Sequence, residues 1–189
     1  LGWEAGKTPQ RAEIANQVIG LDALVFRTEN AQETYAQLKD IGLAVNPVQD
    51  LSRETEFLGK SVIAKFKTVR FSEQPIKDIR IYFCEHLTPE YVWQKQWMHH
   101  QNQLDRLGKI TLASSDIEST AKIFCKLLNL EPKDVSHHEN SISLTLPNLE
   151  LAIQYSKEAD NVQIVSAQLN TSTSNPVDFV ITADLFNSI

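Results

Sequence analysis

The chain is poor in glycine: 6 in 189 residues, and they do not cluster. No Gly-rich phosphate loop and no Ser-centred nucleophile elbow can be found, so P-loop nucleotide chemistry and the α/β-hydrolase arrangement are excluded. Cysteine is almost absent. Cys84 and Cys125 stand alone and far apart, which makes no disulfide framework and points to a reducing compartment, the cytoplasm. No apolar run approaches the ~20 residues that cross a bilayer, so a membrane protein is not expected. The opening Leu-Gly-Trp-Glu-Ala-Gly-Lys lacks the charged-then-apolar layout of a signal peptide. It also lacks an initiator Met, so the start is expected to be trimmed or to belong to a longer chain. Basic residues are outnumbered, 18 Lys and Arg against 24 Asp and Glu, for a net charge of −6. A nucleic-acid partner needs a basic face and is not expected. Hydrophobic residues make up 42% and charged residues 22%, ordinary for a globular protein of one domain or two small ones.

Residues 1–18 read as a lead-in, broken by Gly2, Gly6 and Pro9. IGLDALVFRT (19–28) is a buried strand by composition. Asn30 stands where an N-cap belongs. Ala31, Tyr35 and Leu38 follow at helical spacing, and Gly42 can end the helix. Leu43 to Val48 reads as a second strand and the polar Asp50 to Lys60 as a loop. SVIAKFKTVRF (61–71) alternates, with Val62, Ala64, Phe66 and Thr68 on one face. DIRIYFC (78–84) alternates again. The order is β-α-β-β-β. A short helix with irregular flanks is expected within His86 to Asn102.

The pattern then recurs. Leu107 to Leu112 is a strand, Asp116 caps a helix with Ile117, Ala121, Phe124 and Leu128 on its apolar stripe, and strands follow at 141–146, 149–155 and 162–169. Superposing Leu21 on Leu107 brings Asn30 onto Asp116, so both helices begin in register. Such self-similarity indicates two copies of one module. The expected fold is α+β: paired β-α-β-β-β modules forming a cupped mixed sheet with helices outside. The expected division is a lead-in (1–18), a first module with a His-rich helical extension (19–104), a second module (105–170) and a C-terminal strand or tail (171–189).

A paired module of this kind, with the words GLDALVFRT, KFKTVRF and above all FCEHLTPEYVW (83–93) followed by His100-Gln101-Asn102, resembles the glyoxalase-like branch of the vicinal oxygen chelate superfamily, the group of glyoxalases, bleomycin-resistance proteins and extradiol dioxygenases. The resemblance implies a small oxygenated metabolite as ligand and a divalent metal (Mn, Fe, Zn or Ni) as cofactor, held by a His on a module's first strand and a Glu on its last. Lyase, isomerase or dioxygenase chemistry would fit, as would a non-catalytic binding module or a structural half of a larger enzyme. Pairing with a second copy or with an upstream module is also implied. The sequence departs from the pattern at the first-strand His, where it has Ala23 and, in the repeat, Lys109.

Within that frame His86 is the candidate catalytic residue, as metal ligand or as base. Glu85 and His100 are its candidate metal-ligand companions. Glu85 can equally end an edge strand, and His100 can be a surface residue of a turn. Arg27 and Arg70 are candidate substrate-binding residues, since a guanidinium on such a strand wants either a ligand anion or an ion-pair partner such as Glu85 or Asp22. Trp93 and Asn102 complete the binding set; Trp93 and Trp97 either pack in the core or wall an apolar pocket. Glu90 reads as a dipole partner in a Thr88-capped turn. His137-His138-Glu139 reads as a polar turn rather than a metal cluster.

Overall fold

The computed structural model describes residues 20–77, 79–171 and 179–182. The lead-in expected at 1–18 lies outside the described residues. The first half runs β1 (Ala23–Arg27), α1 (Ala31–Asp40), β2 (Gln49–Phe57), β3 (Lys60–Arg70) and β4 (Arg80–His86). Two single 3-10 turns follow, Pro89–Tyr91 and Lys95–Trp97. The second half runs β5 (Arg106–Ser114), α2 (Ile117–Leu128), β6 (Val135–His138), β7 (Ser141–Leu146), β8 (Leu149–Tyr155), β9 (Gln163–Asn170) and β10 (Phe179–Thr182).

The strands form two open mixed sheets, ordered β1-β4-β3-β2 and β10-β9-β5-β8-β7-β6. β1 is parallel to β4 and β5 to β8; the other pairs are antiparallel. The segment β5-β8-β7-β6 therefore repeats the order β1-β4-β3-β2.

Both helices start where their caps dictate. The Asn30 side chain accepts from the Gln32 and Glu33 N–H groups, and that of Asp116 accepts from Ser119 N–H. Each cap meets donors that the first helical turn leaves unsatisfied. Gly42, at φ +83°, takes the left-handed conformation that ends α1. Ala31 and Leu38 of α1 are buried, and so are Thr120, Ala121, Phe124 and Leu127 of α2. These faces pack on one face of each sheet, Leu24, Val69, Ile81 and Phe83 in the first and Leu112, Ile142, Leu144, Leu151 and Ile153 in the second. All belong to one continuous apolar cluster.

Three elements differ from the sequence expectation. The apolar stretch 43–48 contributes only an isolated bridge, Val45 with Phe71, while the polar stretch after it forms β2. β2 is an edge strand whose Asp50, Ser52, Glu54 and Glu56 face away from the strand's inward residues, so no apolar alternation marks it. His137 and His138 belong to β6 rather than to a turn. Finally, β9 does not complete the second module. It lies antiparallel to β5 on the side away from β8; β8 takes the last-strand place expected of it, and β6 supplies the module's second strand. A register shift between Leu107 and Lys109 falls at Gly108, where a Cβ would come within 2.6 Å of the Asn170 side chain.

Candidate functional site

The first sheet has a helix-covered face and an inner face. Side chains alternate along a strand, so Ala64, Phe66, Thr68 and Arg70 of β3 share the inner face with Arg80, Tyr82, Cys84 and His86 of β4. Ala64, Phe66 and Cys84 form a separate small apolar cluster, with Tyr82, Tyr91 and Val92 packed against it. The connection after β4 runs across this face. Thr88 Oγ1 accepts from Lys65 N–H, and the buried Gln94 donates to the Glu56 carbonyl at 2.8 Å, which ties the connection to β2.

His86 sits in the middle of this assembly. Its ring meets the Phe66 ring edge-on at 5.1 Å and stacks on the Trp93 indole at 5.6 Å. Its Nδ1 is buried and has no hydrogen-bond partner. Burial, aided by the positive charges of Arg27 and Arg53, pushes its pKa below the ordinary value of 6.5. The imidazole is therefore neutral near pH 7, and no protein hydrogen bond at Nδ1 fixes its tautomer. Thr68, almost wholly buried on the same face, also has a hydroxyl without a partner. Buried polar atoms are normally satisfied, so two orphans on one face single it out. Burial raises the Cys84 pKa more than Arg70 lowers it, which keeps Cys84 a thiol.

Arg27 is exposed and pairs with Glu29 at 2.9 Å, not with Glu85 or Asp22. Arg70 stacks on Tyr82, its cross-strand neighbour, at 5.6 Å. Trp93, His100 and Asn102 line a common cavity of about 480 Å³ with Trp97, Met98 and Leu169. Trp93 and Trp97 are each about half exposed, so neither lies in the core. Asn102 Oδ1 accepts from Leu104 N–H, which shapes the turn at this cavity. A larger cavity, about 720 Å³, runs along β1 and α1 toward Leu107 and Leu146; it contains Arg27 but no histidine.

Glu85 is separated from His86 by the pleat of the strand. Its Oε2 accepts from Ala31 N–H at 2.8 Å, so the carboxylate serves the first turn of α1 on the helix-covered side. The three side chains His86, His100 and Glu85 are not brought together. Among the described residues no group of three or more His, Cys, Asp or Glu is placed to hold a metal ion.

The second module shows why the implied metal fits badly there. Lys109 and Glu150 are register partners on β5 and β8, the first and last strands of the module, and they form an ion pair at 3.0 Å. Ser143 donates to the same carboxylate oxygen at 2.8 Å. Partial burial works to raise the Glu150 pKa, but the bonds from Lys109 and Ser143 outweigh it, and the pKa falls below 4.5. An ammonium already neutralises this carboxylate. Ala23, at the matching position of β1, offers no donor. Among the described residues, those at the implied positions do not make the metal site.

Sequence reasoning missed Arg53, Arg80 and Thr68. Arg53 lay in a segment read as loop. Arg80 and Thr68 were placed in strands, but nothing in the alternation alone marked their polar groups as unusual.

A model of the glyoxalase-like domain family matches residues 4–128, well over half of the chain. The chain belongs to that family, within the vicinal oxygen chelate superfamily. Among solved structures it is similar to a hypothetical protein from Staphylococcus aureus, with a TM-score of 0.59 at 14% identity. That likeness is one of fold. It covers 75% of this chain, and this chain spans 54% of the other. No curated protein matches the sequence.

Proposed function

We propose that this chain binds a small oxygenated metabolite in a cup lined by the inner face of the first sheet, and that His86 moves a proton on that ligand. The observation that carries the reading is the state of His86: neutral, packed between Phe66 and Trp93, with an orphaned ring nitrogen and two arginines close enough to depress its pKa. A neutral imidazole can take a proton from carbon or oxygen, and nearby guanidinia stabilise the negative charge that develops. Arg27 and Arg70 hold the ligand's anionic group; Trp93 and Asn102 wall its apolar part. The chemistry that fits is isomerisation or elimination next to a carbonyl, in which His86 takes the proton and later returns it.

A second reading is favoured by Lys109–Glu150 and by Glu85. Carboxylates at the ends of both modules' last strands are engaged in internal contacts, as suits a module that binds a small molecule without transforming it.

One experiment separates the two. The protein is incubated in D2O with a panel of small 2-oxo and 2-hydroxy carboxylates, and deuterium wash-in next to the carbonyl is followed by NMR. Wash-in that disappears in His86→Gln supports proton transfer. Saturable binding without wash-in by any panel member overturns it in favour of the binding module.

A further inference from the structure

We infer that the ligand bound beside His86 carries an apolar tail, that the tail lies in the cavity walled by Trp93, Trp97 and Met98, and that Leu107 limits its length. The inference rests on the inner-face reading above only for the place of the ligand's polar end.

The cavity has the size of a small-molecule site, about 480 Å³. Its walls come from both halves of the chain. Trp93, Trp97 and Met98 belong to the connection after β4, while Leu107 and Leu169 are register partners on β5 and β9. Trp93, Trp97 and Met98 are each about half exposed, and Leu107 is more than a third exposed. Large apolar side chains scattered singly over a surface need no explanation; gathered around one concavity they mark a place that an apolar group fills. Water against them is unfavourable, and each methylene that replaces it is stabilising. Most of the polar lining is taken up by the chain itself. Asn102 Oδ1 accepts from Leu104 N–H, the Arg106 guanidinium donates to the Thr171 carbonyl, and Asp105 has a partner of its own. What the cavity offers an occupant is therefore chiefly apolar surface. Trp93 also stacks on the His86 imidazole at 5.6 Å, so a tail in the cavity and a polar end at His86 are one side chain apart.

Leu107 has a second neighbour. It also lines the larger cavity, about 720 Å³, that runs along β1 and α1. One isobutyl group therefore stands between the two cavities. The backbone explains why it is there rather than in the core. The pairing of β5 with β9 shifts register between Leu107 and Lys109, and Gly108 at the shift packs on the Asn170 side chain, to which a Cβ would come within 2.6 Å. Such an irregularity re-aims the side chain beside it. A tail that fills the smaller cavity ends against Leu107. Without that side chain the tail would run on into the larger one.

The test uses unbranched saturated carboxylates, hexanoate, octanoate and dodecanoate, below their micellar concentrations, with affinities read by calorimetry at fixed pH and ionic strength. Octanoate should bind about tenfold tighter than hexanoate, the effect of burying two more methylenes. That comparison needs no variant. Dodecanoate should gain nothing further in the wild type, because Leu107 stops the tail. Leu107→Ala should let dodecanoate bind about tenfold tighter than octanoate. Leu107→Met, which keeps the bulk and guards against a folding artefact, should keep the wild-type limit. Trp97→Ala should remove the advantage of octanoate over hexanoate. Affinity that does not rise from hexanoate to octanoate, or a length limit that persists in Leu107→Ala, would overturn the inference. The series measures binding alone. A limit that moves with Leu107 in a protein that washes no deuterium into any panel acid would uphold the tail site and remove the proton-transfer reading; wash-in with no dependence on length would do the reverse.

Discussion

The indole of Trp93 lies against the imidazole of His86, ring centroids 5.6 Å apart and planes 24° from parallel. An indole so placed reports the charge of the imidazole, because imidazolium quenches tryptophan emission and a neutral ring does so far less. The fluorescence of the protein should titrate with a midpoint below 6.5, the ordinary histidine value. The component should vanish in both Trp93→Phe and His86→Gln. A midpoint at or above 6.5 would contradict the depressed pKa.

The same shift has a sign in stability. With its folded pKa depressed, His86 binds fewer protons in the folded than in the unfolded chain as pH falls below 6.5. Its favourable contribution is full above 6.5 and is lost as pH falls toward the folded value. Urea midpoints of the wild type should therefore drop across that interval. His86→Gln should flatten the slope there, which parallel melts at stepped pH would show.

Glu85 shows how a residue that resembles a ligand can be engaged elsewhere. Its carboxylate accepts from Ala31 N–H, Asn30 accepts from the next two donors, and Thr28 Oγ1 accepts from Asn30 N–H, so all four orphan N–H groups of α1 are met by side chains. Glu85→Ala should cost about 1–2 kcal/mol in chemical denaturation. Glu85→Gln, which keeps a carbonyl acceptor, should cost less than half as much. Equal losses would mean that the charge alone matters and the hydrogen bond does not.

Lys109 and Glu150 stand on the first and last strands of the second module, the strands from which the resemblance implies metal ligands. Both side chains are over a third exposed, so solvent screens the pair. A double-mutant cycle with Lys109→Met and Glu150→Gln should return a coupling of about 0.5–1 kcal/mol that shrinks in high salt. The contribution of Glu150 should be full above 4.5 and lost as pH falls through its lowered folded pKa. Lys109→Met should move that loss to higher pH.

Much of the architecture was legible because its signals are local. β7 and β8 have the expected limits, and both helix caps occupy the expected register, Asn30 over Asp116. What was hidden was pairing and edges. A hydrophobic run announces a strand but not its neighbour, so nothing in 162–169 told that β9 would lie beside β5. β2 carries polar residues on both faces, Arg53 and Thr55 inward and Glu54 and Glu56 outward, so no periodicity betrayed it. For the site, His86 stood out by its place at the end of an apolar strand. Of the arginines on the inner face, Arg27 and Arg70 were marked by their place at strand ends, while Arg53 lay in a segment read as loop and Arg80 carried no distinguishing signal.

Gln94 is the fastening on which this surface depends. It is nearly buried, and its amide donates to the Glu56 and Tyr91 carbonyls while its oxygen accepts from Gln96. One side chain thus holds the connection that carries Trp93 to the edge strand that carries Arg53. Gln94→Leu keeps the bulk but leaves those carbonyls unmet. It should cost about 1–3 kcal/mol, and because β2 has no further strand partner among the described residues, amide exchange should accelerate first in Glu54 to Phe57. Unchanged exchange in β2 alongside a large global loss of stability would place the role of Gln94 in the core instead.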